Sequence, residues 1–153
     1  MWPEGYNKPG ICDTKVFYAL QSGTLDNDWQ IWNKPAGVGM VNFIMIGSGG
    51  AGGKGAGGAS GFASGGGGCG GISRLLVPAI FLPDTLYIRP GKGTPTQTAS
   101  GTGFNSSSGY IAITPVNPSV SGTVSNIILS TFGAASGTGG NGGTAGGTGA
   151  LAI

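Results

Sequence analysis

The stretch that decides the fold is VNFIMIGSGGAGG, residues 41–53, in which an apolar run changes abruptly into glycine. Residues 41–46 are apolar on both alternating sets of positions except at Asn42, a pattern typical of a strand that is buried on two faces. From Gly47 to Gly71 the chain carries 15 glycines in 25 residues. The strand-like run 124–132 leads in the same way into residues 133–149, which hold 9 glycines in 17. The sequence predicts a repeated unit, a strand followed by a glycine tract. If the two strands are parallel, the tracts leave from one end and pack together.

Glycine recurs at every third residue within both tracts. Stepping by three from Gly49 meets glycine at seven of eight positions, Ser64 being the exception, and stepping from Gly137 meets it at five of five. An extended helix with three residues per turn would then present a bare backbone along one edge, as collagen does, but neither tract contains proline. We therefore predict two polyglycine-type extended helical tracts that pack sideways through their backbones. The predicted packing positions are Gly49, Gly52, Gly55, Gly58, Gly61, Gly67, Gly70, Gly137, Gly140, Gly143, Gly146 and Gly149.

The length and entropy of the tracts limit how they can be arranged. Fully extended at about 3.1 Å per residue, the first tract would run roughly 78 Å, against a radius of gyration near 15 Å for a compact chain of this size. It must double back or project. Ordering the glycines of both tracts costs on the order of 12–24 kcal/mol more than ordering alanines, so extensive packing has to hold them. We expect a homo-oligomer, with a trimer favoured; the alternative is that both tracts are flexible linkers.

The rest of the chain predicts an all-β fold, a sandwich or jelly roll of about seven short strands. We divide the chain into an N-terminal strand or arm, residues 1–23, and a glycine-rich β-sandwich domain, residues 24–153, as one domain overall. The apolar ending 150–153 resembles the start of another strand and leaves a longer chain open. Residues 94–109, rich in Ser, Thr and Gly, are predicted to form an exposed loop. The predicted strands are 15–20, 29–32, 41–46, 72–77, 85–89, 110–114 and 124–132.

Composition excludes several classes of protein. Glycine and proline together make up 44 of 153 residues, but only 8% of residues are charged and 39% are hydrophobic, unlike a disordered chain. The net charge of +2 is too small for a surface that binds nucleic acid. The longest apolar stretch, residues 75–82, is too short to span a membrane. We therefore expect neither nucleic acid nor membrane insertion.

Motifs that could carry chemistry lack their required context. Residues 47–52, GSGGAG, match the dinucleotide fingerprint, but more glycine follows where a helix and an acidic residue are needed. Histidine is absent, so the commonest general base and metal ligand is missing. We predict no catalytic, cofactor-binding or metal-binding residues, and hence no enzyme.

Seven side chains remain to be assigned. Cys12 and Cys69 are expected to be small buried thiols, with a disulfide between them left open. Asp26 and Asp28 are expected to be turn formers on a solvated edge. The aromatic residues Trp29, Trp32 and Tyr87 could stack on sugars but are expected in the core. The sequence points to no reactive constellation among them.

The run WQIWNKP, residues 29–35, followed by Gly37 and a strand into the first tract, resembles the glycine-rich domains of tailed-bacteriophage virion proteins. The block GISRLLVPA, residues 71–79, with LPDTLYI, residues 82–88, is similar to the segment that follows the tract in such proteins, and the second tract matches that layout. The resemblance covers roughly residues 24–149.

This resemblance implies a role in the virus particle. The chain would be a structural component of a tail, fibre, baseplate or capsid-associated assembly, located in the virion and in contact with other virion proteins. Phage tail-fibre adhesins also use bundled polyglycine helices, with variable loops at the tip for host receptors. The alternative is therefore a receptor-binding tip, in which residues 94–109 or the tract turns contact a bacterial surface glycan or protein.

Overall fold

The computed structural model describes residues 13–20, 28–55, 64–94, 102–115 and 124–136. Within these ranges the chain forms six strands and two short 3₁₀ turns, at Ala79–Phe81 and Val124–Asn126. The predicted all-β class is confirmed. The strands are β1 (Gln30–Asn33), β2 (Met40–Ile46), β3 (Ile72–Pro78), β4 (Thr85–Arg89), β5 (Gly109–Ala112) and β6 (Ile127–Thr131).

The strands form two antiparallel sheets. One has four strands in the order β1-β4-β5-β6, and the other is the two-stranded ribbon β2-β3. The ribbon keeps one register along its whole length, from Met40 opposite Pro78 to Ile46 opposite Ile72. This end of the ribbon, at Ile46 and Ile72, is where the first glycine tract leaves and re-enters the strands.

One buried cluster joins the two sheets. The ribbon contributes Phe43 and Met45, and the edge strand β1 contributes Trp32. The Trp32 and Phe43 rings meet edge to face, with centroids 5.7 Å apart and planes at 76°, an arrangement that aromatic pairs prefer. Alternate residues of the neighbouring strands face the same interior because side chains alternate along a strand. The other buried members of the cluster are Leu82, Leu86, Ile88 and Ile111.

The loop between β1 and β2 is fixed by Lys34. Its Nζ donates to the Leu82 carbonyl at 2.8 Å and pairs with the Asp84 carboxylate at 2.9 Å, while its amide donates to the Asp84 carbonyl at 2.8 Å. The predicted turn follows at Gly37, whose φ of 75° is one that glycine adopts without strain. Buried Trp32 and anchored Lys34 thus explain the Trp-Asn-Lys-Pro sequence as a structural clasp.

Two predicted strands differ from the structure. Residues 15–20 form no strand: Gln30 Nε2 donates to the Tyr18 carbonyl at 2.7 Å, and Phe17 packs against the core cluster without joining a ladder. At the other end of the chain, β6 begins at Ile127, since Val124–Asn126 winds into a 3₁₀ turn. Both segments contain residues with high strand propensity. Strand propensity describes how well a residue fits a pleated surface, but a strand also needs a neighbouring strand to pair with.

The prediction that residues 41–46 are buried on both faces is wrong for the described chain. β2 alternates strictly: Phe43 and Met45 are buried, whereas Met40, Ile44 and Ile46 are exposed. Apolar residues on both faces indicated two-sided burial because such runs are typical of strands inside a sheet stack. The structure covers one face only. No helix in the described residues is long and apolar enough to cross a membrane.

Candidate functional site, the glycine bundle

Four extended segments lie side by side at the end of the ribbon, and we call them the glycine bundle. The outgoing segment, residues 47–53, follows β2, and the returning segment, residues 65–71, leads into β3. The second-tract segment, residues 132–136, follows β6, and the serine segment, residues 102–108, precedes β5. The two tracts therefore begin side by side. This arrangement is the one predicted for the case in which the strands before the tracts, here β2 and β6, end on the same side of the fold.

The outgoing and returning segments are joined by hydrogen bonds that recur at every third residue. Amides of Gly47, Gly50 and Gly53 donate to the carbonyls of Gly71, Gly68 and Gly65, at 2.7, 3.1 and 2.9 Å. Each step of three along one segment is matched by a step of three back along the other. In an antiparallel β ladder the comparable repeat is two residues. The first tract thus doubles back, which is one of the two arrangements that its length allowed. Its hydrogen-bond spacing differs from that of the ribbon it extends.

Three of the segments are linked in a closed ring, in which an amide of each segment donates a hydrogen bond to a carbonyl of the next. The outgoing segment donates to the returning segment through Gly50, and the returning segment donates to the second-tract segment through Gly68, which bonds the Ala135 carbonyl at 3.0 Å. The second-tract segment closes the ring, because the amide of Ala134 donates to the Ser48 carbonyl at 3.1 Å. A strand in a sheet has neighbours on two sides only. Here the outgoing segment has neighbours on three sides, since its Ala51 amide also donates to Phe104 of the serine segment at 3.1 Å.

Serine hydroxyls add side-chain hydrogen bonds to the backbone contacts of the bundle. Ser106 Oγ donates to the Ser48 carbonyl at 2.7 Å and accepts from the Ala134 amide at 2.6 Å. Ser48 Oγ lies 2.9 Å from the Lys92 carbonyl and 3.1 Å from the Ser107 carbonyl. The prediction of an exposed loop over residues 94–109 is therefore only partly right within residues 102–108: Thr102, Phe104 and Asn105 are exposed, whereas Gly103 is buried and residues 106–108 are half-buried in the bundle. The signal for this role was present: Gly, Ser and Thr dominate the segment, as they do the tracts.

Several glycines in the bundle are required by close backbone approach. A Cβ added at Gly67 would lie 2.0 Å from the Gly50 carbonyl oxygen, and one at Gly50 would lie 2.2 Å from that of Ala135. Similar approaches of 2.2 Å occur at Gly47 and Gly70. Any side chain at these four positions would overlap backbone atoms that cannot rotate away. None of them has the left-handed φ that also favours glycine, so steric closeness is the reason for the residue.

The predicted packing positions are distributed unevenly over these contacts. Gly67 and Gly70 lie at close approaches, and a Cβ at Gly52 would lie 3.2 Å from the Gly65 carbonyl oxygen. A Cβ at Gly49 would make an ordinary contact of 3.6 Å, and Gly55 is half-buried. The remaining positions, Gly58, Gly61, Gly137, Gly140, Gly143, Gly146 and Gly149, lie outside the described residues.

Further close approaches occur at glycines that the three-residue series does not contain. A Cβ at Gly103 would lie 2.4 Å from the Ala51 carbonyl oxygen, and one at Gly133 would lie 2.5 Å from that of Ser106. Counting every third residue along one tract could not identify these two glycines. Which residues of a segment come close to a neighbour depends on how that neighbour lies against it in space.

The bundle and the apolar core share a boundary. Thr131, 1% exposed at the end of β6, donates through Oγ1 to the Gly71 carbonyl at 2.9 Å. Gly109 at the start of β5 is held against side chains on both sides: an added Cβ would lie 2.9 Å from Met45 Cε and 3.1 Å from Thr131 Cγ2. The bundle therefore continues the folded domain and is attached to its core.

The dinucleotide-like motif at residues 47–52 belongs to the outgoing segment. The amides of Gly47, Gly50 and Ala51, which a pyrophosphate would need, donate to backbone carbonyls, and residues 51–55 form no helix. Among the described residues no group of three His, Cys, Asp or Glu side chains could hold a metal ion. A depression of about 400 Å³ beside Lys34 and Asp84 is lined mainly by the β1–β2 loop and Ile80, with these two side chains paired to each other.

Three side chains differ from their sequence-based assignment. Asp28 was expected at a solvated edge but is 5% exposed, and its Oδ1 has no hydrogen-bond partner in the described structure. Cys69 is exposed, whereas a buried thiol was expected; Cys12 lies outside the described residues. Trp29 is half-buried outside the core cluster, where its ring lies 5.6 Å from the guanidinium carbon of Arg89.

The Arg89 guanidinium contacts two aromatic rings. Its second neighbour is Tyr110, whose ring centroid lies 5.0 Å away. Such contacts stabilise a cation that is removed from water, and Arg89 is 7% exposed. Of the aromatic residues considered as sugar platforms, Trp32 is in the core as expected. Tyr87 is half-buried outside the core cluster, a fourth difference from the sequence-based assignment.

Comparison of the chain with protein-family models, with curated proteins and with solved structures finds no match.

Proposed function

We propose that this chain is a non-enzymatic structural protein of a bacteriophage virion, a component of a tail, fibre, baseplate or capsid-associated assembly. It would assemble with copies of itself, as a trimer, and with other virion proteins. The phage assignment rests on the resemblance of residues 29–35, 71–79 and 82–88 to glycine-rich virion domains. The structural role rests on the glycine bundle.

The observation that carries the proposal is the three-residue hydrogen-bond ladder between residues 47–53 and 65–71. We interpret it as the spacing of polyglycine-type extended helices, which have three residues per turn. Segments with no side chains at their contacts hold still only when their backbone groups are paired on several sides. Such packing suits a rigid scaffold.

The same proposal includes a β-sandwich in which the ribbon covers the four-stranded sheet. The shared core cluster supports it, because residues of both sheets contact one another there. The receptor-binding alternative keeps only the exposed part of the described loop, at Thr102, Phe104 and Asn105, because Gly103 and Ser106 are engaged in the bundle.

The test is to purify particles of the phage that encodes this chain and to locate the protein in them. Quantitative mass spectrometry should find it at a stoichiometry that is a multiple of three per particle, and gold-labelled antibodies should mark one fixed structure. A protein found in infected cells but missing from washed particles would overturn the proposal. Retention of particles with loss of host attachment after antibody binding would favour the receptor-binding alternative.

A further inference from the structure

The outer side of the β2-β3 ribbon carries five large apolar side chains, and we call this surface the apolar ribbon face. Each of the five is more than half exposed, from 51% at Met40 to 73% at Ile72. Ile46 lies directly opposite Ile72 at the end next to the glycine bundle. The five residues are Met40, Ile44, Ile46, Ile72 and Leu76.

The area of this face matches one side of a protein interface. From their exposed fractions, the five side chains leave roughly 600 Å² of apolar surface in contact with water, the upper end of what monomers show. A stable protein–protein contact buries about 800 Å² on each partner. The apolar ribbon face with its flanking residues Asn42, Arg74 and Pro78 reaches that size. A surface of this kind on a protein with only 8% charged residues is far from the mixed, charged surface of a typical monomer.

The chemistry of the face fits a partner that is itself apolar and poor in charge. Arg74 is the one ionisable residue in β2 and β3, and its Nε donates to Asn42 Oδ1 at 3.2 Å on the same face. No carboxylate of either strand is present to attract a basic partner. A second copy of this chain presents the same charge-poor surface.

The shape of the ribbon also suits a symmetric contact. Two strands make a strip about 10 Å wide, comparable with the distance of about 10 Å between packed sheets. Three strips of this width can close around a threefold axis with their apolar faces turned inward. A wider sheet would leave its margins uncovered in such an arrangement.

We infer that copies of this same chain cover the apolar ribbon face, and that this face is the contact surface of the homo-oligomer. The inference rests on the proposed function, because it names the surface through which the proposed self-assembly occurs. It also explains why residues 41–46 are apolar on both faces: one face is buried in the chain's own core, and the other is buried against neighbouring copies.

The test compares two isoleucines of similar exposure. Ile44 lies in the middle of the apolar ribbon face and is 58% exposed, whereas Ile31 lies on β1 of the other sheet and is 54% exposed. Size-exclusion chromatography with light scattering should give the wild-type chain and Ile31→Lys three chain masses of 14.9 kDa each. Ile44→Lys should shift to one chain mass, or dissociate at a concentration at least a hundredfold higher, with an unchanged circular-dichroism spectrum.

Cross-linking keeps the inference testable if Ile44→Lys fails to fold. In a Cys12→Ser, Cys69→Ser background, Ile44→Cys should be joined between chains by a short bifunctional maleimide, and Ile31→Cys should not. Ile44→Cys and Ile31→Cys each leave the apolar character of the surface nearly intact, so we expect both variants to assemble.

The outcomes separate the inference from the proposed function. A wild-type oligomer that survives Ile44→Lys, with no cross-link at Ile44→Cys, would overturn the inference and leave the structural role standing. A strictly monomeric wild-type chain at millimolar concentration would overturn the inference together with the self-assembly part of the proposed function. Loss of the oligomer in Ile31→Lys but not in Ile44→Lys would place the contact on the other sheet and overturn the inference.

Discussion

The apolar core and the glycine bundle are both closely packed, but side chains make the contacts in the core and backbone atoms make them in the bundle. In the core, side chains alternate in and out of each strand, and residues such as Leu86 fill the space between the sheets. In the bundle, backbone meets backbone, and the space that a Cβ would need is already occupied. The ribbon joins the two regions directly: Ile46 pairs with Ile72 in a ladder, and the next amide, Gly47, starts the three-residue series.

This difference shows that side chains limit the directions from which one extended segment can approach another. A strand with side chains above and below can approach others only at its two edges, so a sheet results. Without side chains the backbone can be approached from any direction, and its amides and carbonyls point to several neighbours in turn. The outgoing segment accordingly donates to both the returning segment and the serine segment and accepts from the second-tract segment.

The largest effect is expected from a cavity in the apolar core. Leu86 is fully buried, and Leu86→Ala should lower the free energy of unfolding by about 3–5 kcal/mol, through lost burial and the cavity left behind. Urea denaturation followed by tryptophan fluorescence, with Trp32 as a probe in the same cluster, measures it. The control is Leu20→Ala at a half-exposed position, which should cost under about 1 kcal/mol. Equal losses in the two variants would contradict the assigned core.

A single methyl group in the bundle should have a comparable effect. Gly67→Ala places a Cβ 2.0 Å from the Gly50 carbonyl oxygen, and the resulting overpacking should cost about 3 kcal/mol. The neighbouring Gly66 has nothing within 4 Å of an added Cβ, so Gly66→Ala should stabilise the fold by about 0.4–1 kcal/mol by restricting the unfolded chain.

Substituting these adjacent glycines should therefore change the free energy of unfolding in opposite directions. Thermal unfolding of Gly67→Ala and Gly66→Ala measures the two changes under the same conditions. If both substitutions are tolerated equally, the segments are not in backbone contact and the distinction between the two regions is lost.

A smaller effect is expected from the serine latch. Ser106→Ala removes the hydroxyl that bridges the Ser48 carbonyl and the Ala134 amide, and should cost about 1–2 kcal/mol. Hydrogen exchange of the Ala134 amide should then be faster by about tenfold. Ser125→Ala, at an exposed position in the second 3₁₀ turn, should leave that exchange rate unchanged. An unaltered rate in Ser106→Ala would show that backbone bonds alone hold the second-tract segment.

Strand positions were predictable where apolar runs were bounded by turn residues, as at Thr85–Arg89 and Ile72–Pro78. The length of the first tract also predicted that it doubles back or projects, and the structure shows the first of these. The exposed face of β2 did not follow, because alternation along a strand says which residues share a face but not what covers that face. The burial of Asp28 depends on segments distant in the chain, and no local pattern encodes it. Residues 102–108 share the composition of the tracts, but their composition does not say which segments they contact.

By itself the sequence determined that this chain is built from short strands and glycine-rich tracts in which glycine recurs at every third residue. Composition decides this, because glycine removes the side chains that strands need and leaves backbone groups as the main means of contact, with hydroxyl groups added at Ser48 and Ser106. The tertiary structure decided which glycines are indispensable. The phase of close approach is set by neighbouring segments, so Gly67 is pressed against Gly50 while Gly66 faces open space.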